Sequence, residues 1–158
     1  MHIVYVAQIR LYVEIRLENQ PDCVIKKALS DISNGLRVTV DKLIHQPDVL
    51  TSPERPHCFA YHITIHNDGA DQVTIRGRKW VVTEASGDVT AVEGDGVVGE
   101  FPTISSGEHF SYSSFHVIRS NRATAEGSYL GVNKKGTPVV LRIPPFELVV
   151  PESEIGYC

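Results

Sequence analysis

The chain has 158 residues, 42% of them apolar, with 19 acidic against 15 basic side chains and a net charge of −4. That length buries one hydrophobic core rather than two, and without a Lys/Arg-rich block it offers no concentrated positive surface for non-specific binding to nucleic acid or to an anionic membrane. Cys23, Cys58 and Cys158 are odd in number, far apart and free of a CxxC pair, which suits neither a disulfide framework nor a structural zinc site and predicts a reducing, cytoplasmic compartment.

From Ile3 to Leu17 every odd position is apolar, while Gln8, Arg10, Glu14, Arg16 and Glu18 occupy even ones. Period two is the pattern of a half-buried strand. Arg10, Glu14 and Arg16 interrupt the run too early for a signal-peptide core or a membrane span. An apolar face of this length must be covered, either along the edge of its own sheet or by a second copy. The dimer is favoured, because fifteen residues overrun the edge of a small domain. Val24 to Leu29 has room for a helical turn or two before Asn34-Gly35, a turn signal. Residues 1–33 are therefore predicted to form an N-terminal extension, residues 34–151 the domain and residues 152–158 a tail.

After Asn34 the chain reads as strand after strand. Leu36, Val38 and Val40 alternate with polar residues, as do Phe59, Tyr61, Ile63 and Ile65, until Asn67-Asp68-Gly69 breaks the run. Val73 to Thr83 slips phase around Arg76-Gly77, which predicts a bulge. Ser86-Gly87-Asp88 turns it into Val89 to Glu93. Phe110 and Tyr112, Arg122 to Val132, Val139 to Ile143 and Phe146 to Val150 complete the series. No helical period is present in this part, and short strands between Gly, Asn, Asp and Pro turns predict an all-β, immunoglobulin/fibronectin-III-like two-sheet sandwich. Trp80, the single tryptophan, is expected between the sheets.

Gly94-Asp95-Gly96-Val97-Val98-Gly99 matches the dinucleotide-binding glycine pattern letter for letter. That pattern works only between a strand and a helix, whose N-terminus holds pyrophosphate. Phe101-Pro102 and Ser105-Ser106-Gly107 follow here, and no helix can start among them. The glycines then serve either a tight connection with positive φ or a nest of backbone amides that binds an anion, with Arg76, Arg78 and Lys79 on the preceding strand as its cationic neighbours. A third reading gives Glu93, Asp95 and Glu100 a hard cation such as Mg²⁺.

Arg78-Lys79-Trp80, the Gly94 to Glu100 loop and Phe110-Ser111-Tyr112-Ser113-Ser114, in that order and spacing, resemble the ApaG domain family. Phe59-Ala60-Tyr61, Ile63 to Asn67, Gly127-Ser128-Tyr129 and Ile143-Pro144-Pro145-Phe146 extend the resemblance over about residues 34 to 151. The resemblance implies a fibronectin-III-like sandwich treated as a protein-interaction or ligand-binding module with no established reaction. It also brings an association with divalent-cation (Mg²⁺ or Co²⁺) homeostasis and a gene position beside a diadenosine-tetraphosphate hydrolase. Gly77 and Lys79 depart from the residues common in the family before the tryptophan, and Phe115 and Ala123 stand where glycines are expected.

Elsewhere the signals are structural. His62 and His66 share a strand face but stand about 13 Å apart, too far for one metal with bonds of about 2 Å, and no nucleophile elbow or Cys/His pattern appears among the serines. The expectation is a non-catalytic, cofactor-free binding module whose Gly-rich loop and Arg76, Arg78 and Lys79 face a protein partner or a small phosphate-bearing molecule. A cation-homeostasis factor and a hydrolase of nucleotide polyphosphates are the alternatives.

Overall fold

In the computed structural model, which describes residues 35–152, antiparallel strands form two facing sheets. One sheet has the order β1 (Leu36–His45), β2 (His57–Asn67), β6 (His109–Ile118). The other runs β4 (Val89–Asp95), β3 (Val73–Glu84), β7 (Arg122–Asn133), β8 (Pro138–Val149), with the short β5 (Thr103–Ile104) paired to the start of β3. Among the described residues there is no helix, and the predicted two-sheet β-sandwich is what the chain forms. The strand expected over Ile3 to Leu17 and the helical turn expected over Val24 to Leu29 lie outside the described residues.

The period-two pattern explains which face each strand buries. On β2 the odd residues Phe59, Tyr61, Ile63 and Ile65 point inward and are at most 3% exposed, each worth about 1.5–3 kcal/mol of apolar burial. They meet Ile75, Trp80, Val82, Ala125, Tyr129, Leu141, Ile143 and Leu148 from the second sheet. Trp80 is 3% exposed, as expected from its sequence context, and its ring packs against His116 at 4.7 Å, Tyr61 at 5.3 Å and Phe146 at 5.9 Å between centroids. The even residues of β2 face outward with β6. There His62 Nδ1 bonds Ser113 Oγ at 2.6 Å and His66 Nε2 bonds Thr39 Oγ1 at 3.0 Å, so the two imidazoles have separate polar partners.

Two irregularities shape the second sheet. Between Ile75 and Gly77 the register of β3 against β7 shifts by one residue, which leaves Arg76 as the bulge the sequence predicts. Between Ala125 and Gly127 the register of β7 against β8 shifts as well. At Gly127 a Cβ would fall 2.1 Å from the Lys79 carbonyl oxygen, so only glycine lets β3 approach that closely. The next inward residue, Tyr129, is fully buried, and its hydroxyl is hydrogen-bonded to that of Tyr112 across the sheets. Burial pushes the hydroxyls of Tyr112 and Tyr129 far above their usual range, so both stay protonated.

Candidate functional site

The glycine loop is a two-residue hairpin. Beyond Asp95 the chain enters the left-handed region at Gly96 (φ 57°), Val98 (φ 45°) and Gly99 (φ 80°). Val97 and Glu100 pair through two backbone bonds, Val97 N–H to Glu100 O at 2.8 Å and Glu100 N–H to Val97 O at 2.9 Å. Positive φ at both central residues, Val98 and Gly99, is the backbone signature of a type I′ turn, whose twist suits a hairpin and whose usual sequence is Asn-Gly or Asp-Gly. No helix follows; β5 does. The pyrophosphate-binding context is absent, as the sequence predicts.

The hairpin is clamped at its base. The bulge takes the Arg76 carbonyl out of the β3 ladder, and that carbonyl accepts the Gly96 N–H at 2.8 Å. A Cβ at Gly96 would sit 2.1 Å from the Glu100 carbonyl oxygen. Arg78 Nη1 donates to the carbonyls of Asp95 at 2.8 Å and Gly96 at 3.1 Å, and its guanidinium lies against Gly94, where a Cβ would be 3.1 Å from Nη1. The Val97 side chain is fully buried and ties the turn to the core. Above this base Val98 is 52% exposed and Phe101 46% exposed, so the tip presents two apolar side chains beside the exposed Glu100.

The other predicted site residues are divided among separate tasks. Lys79 Nζ pairs with Glu93 Oε1 at 3.1 Å across β3 and β4. The Arg76 side chain is exposed on the bulge. Glu93, Asp95 and Glu100 are all exposed, and among the described residues no three His, Cys, Asp or Glu side chains come together in a group that could hold a metal ion. An anion nest needs successive free amides. Those of Gly96, Val97 and Glu100 are already bonded to backbone carbonyls, and the Arg78 guanidinium is turned onto the carbonyls of the loop itself.

Sequence reasoning did not single out Phe101 as a surface residue or the conformation of Val98. A valine inside a Val-Gly pair at the end of an alternating strand was the available signal, since a hairpin there forces positive φ on a β-branched residue.

An antiparallel two-sheet sandwich with a rigid, glycine-built hairpin at one end defines this molecule as a β-sandwich domain with a preformed loop. The chain belongs to the ApaG domain family, whose profile matches residues 48–133. It is 38% identical over 125 residues to Protein ApaG of Shewanella frigidimarina, covering 78% of this chain and 97% of that protein. To Protein ApaG of Klebsiella pneumoniae it is 42% identical over 119 residues, covering 75% and 95%. Among solved structures, a Bordetella pertussis protein described as ApaA aligns with a TM-score of 0.68 at 30% identity over 75% of this chain and 95% of that one.

Proposed function

We propose that this protein is a non-catalytic binding module that engages a protein partner through the tip of the Gly96 to Phe101 hairpin. The observation that carries this reading is Val98, a β-branched residue held at φ 45° and 52% exposed at the apex of the turn. Positive φ is a true outlier for such a residue, and strain of this kind, costing about 1–3 kcal/mol, gathers where a site must be preformed. Phe101 beside it supplies an aromatic anchor of the type enriched at protein interfaces. The clamp made by Arg78, the Arg76 carbonyl and buried Val97 lowers the ordering cost of binding. A phosphate ligand at this loop is the weaker reading, because the amides of Gly96, Val97 and Glu100 and the Arg78 guanidinium are committed to the loop.

The test is affinity capture from a cell extract with the full chain, compared with Val98→Asp and Phe101→Ala. Arg142→Ala, an exposed change on β8, is the control. The expected result is a protein retained by the parent chain and the control and lost from both tip variants. Capture that is indifferent to both tip substitutions, or a saturable response of the Gly94 to Glu100 amides to pyrophosphate, overturns the proposal.

A further inference from the structure

At the opposite end of β4 from the hairpin, the sandwich carries a polar cleft of about 250 Å³ lined by Arg55, Glu84, Asp88, Val89, Thr90 and Arg119. Three connections meet there: β1 to β2, which brings Arg55; β3 to β4, which brings Asp88; and β6 to β7, which brings Arg119. Glu84 is the post that holds them. It is 5% exposed, and one carboxylate oxygen accepts the Arg119 N–H at 3.0 Å, the Ser120 N–H at 2.7 Å and the Ser120 hydroxyl at 2.8 Å. Desolvation acts to raise its pKa, but these donors together outweigh it and hold the carboxyl below its ordinary range, with a further contribution from the charge of Arg55. The turn that carries Arg119 is thus fixed by a buried, ionised carboxylate.

The two arginines are under-used. Arg55 Nη2 donates to Thr90 Oγ1 at 3.1 Å, and Arg119 Nε reaches the Glu54 carbonyl at 3.4 Å. Elsewhere in the fold Arg37 and Lys79 are paired with carboxylates at 2.7 Å and 3.1 Å. Among the described residues, neither Arg55 nor Arg119 has a carboxylate within ion-pairing distance. Each guanidinium offers five N–H donors in a planar fork, so most of that capacity faces the cleft and solvent. On the acidic side, Glu84 spends its charge on three donors, and Asp88 accepts the Ser86 hydroxyl at 3.0 Å.

We propose that this cleft is an oxyanion site, in which Arg55 and Arg119 grip a carboxylate or phosphate group with the Thr90 hydroxyl beside it. Planar forks match such groups bidentately, and charge-assisted bonds of this kind are the strong ones. The volume equals about eight waters at ~30 Å³ each. It is below the roughly 300–1,000 Å³ of pockets that enclose a drug-sized ligand, so the cleft takes a small anion or one anionic group of something larger. Asp88, which also lines the cleft, works against the two arginines: its carboxylate repels an anion, so it limits the affinity rather than creating it. The proposal is independent of the hairpin reading, since β4 separates the two places by about 20 Å at its rise per residue.

The experiment is an amide-resolved NMR titration of the full chain with inorganic phosphate and, separately, with malonate, at ionic strength matched by NaCl. Saturable shifts are expected at Asp88, Arg119 and Ser120 and not at Gly96 or Gly99. Arg55→Ala and Arg119→Ala should each weaken binding about tenfold or more, the corresponding lysine variants less, and Arg142→Ala not at all. Asp88→Asn should tighten binding severalfold. A response to phosphate alone or malonate alone assigns the chemistry, and a response to both makes the site a general oxyanion clamp. The proposal is overturned if neither anion produces a saturable shift at these residues, if the arginine variants respond like the parent chain, or if Asp88→Asn weakens binding. Should an alanine variant fail to fold, the lysine variants and Asp88→Asn decide the matter alone.

Discussion

Val98→Asn separates what the hairpin needs for folding from what it needs for recognition. A valine in the left-handed region carries roughly 1–2 kcal/mol of steric strain, most of which asparagine escapes by hydrogen-bonding locally. Against this stands lost apolar contact: Val98 is 52% exposed, so about half of the 1.5–3 kcal/mol of a fully buried aliphatic side chain is at stake, and asparagine of similar size recovers part of it. The net expectation is a stabilisation of about 0.5–1 kcal/mol, which in a domain of this size raises Tm by about 2–5 °C. Urea unfolding followed by Trp80 fluorescence measures it, with an unchanged slope m as evidence that only stability moved. The same variant should lose affinity for the partner. Destabilisation by more than 0.5 kcal/mol would refute the strain argument and show that the Val98 side chain is held by contacts rather than kept for them.

Three further outcomes follow from the interior. Burial lowers the pKa of His116 from 6.5 to about 4, so between those values the unfolded chain binds the proton and the folded one does not. Stability should fall as pH drops through that window, by up to about 3 kcal/mol, and His116→Phe should flatten the slope in melts at pH 7.5, 6 and 4.5. Trp80→Ala should cost about 3–5 kcal/mol by denaturant titration, the usual loss for a core aromatic, and a cost below 1 kcal/mol would contradict its packing against Tyr61, His116 and Phe146. Glu84→Gln should cost about 2 kcal/mol, because a neutral amide receives the three donors of Arg119 and Ser120 less strongly than a carboxylate; thermal unfolding at pH 7 checks it.

Strands whose inner face is continuously apolar were legible in the sequence. The alternation of Phe59, Tyr61, Ile63 and Ile65 marks β2, and the phase slip at Arg76-Gly77 marks a bulge that the register of β3 reproduces. Three elements were cut short for physical reasons. On β1 the register shift between Val40 and Lys42 inverts the alternation at Asp41, hiding the half that runs to His45. On the edge strand β6 the outward positions Ser111 and Ser113 and the inward His116 weaken the apolar signal after Tyr112. Pro144-Pro145 reads as a break between two strands, yet β8 passes through it, because the register shift between Ala125 and Gly127 leaves both prolines outside the β7 pairing, so their missing N–H donors cost no ladder bond.

The candidate site divided along the same line. The glycine hairpin is a local matter of seven consecutive residues, so its turn could be read directly, whereas the use of Arg78 as a clamp on loop carbonyls depends on how β3 and β4 pair. Arg55 and Arg119 are 64 positions apart and share no motif. Only the meeting of three loops at one end of the sandwich brings them together.

Pro144 and Pro145 also bear on how the molecule behaves in company. Among the described residues β8 forms one outer margin of the five-stranded sheet, and such margins are templates for stray strands from other chains. Of two adjacent prolines in a strand, one removes an N–H from the free side, and that missing donor interrupts whatever ladder an intruder tries to build there. Association through this flank is thereby disfavoured at high concentration, in the crowded conditions in which open β-edges are most prone to aggregate.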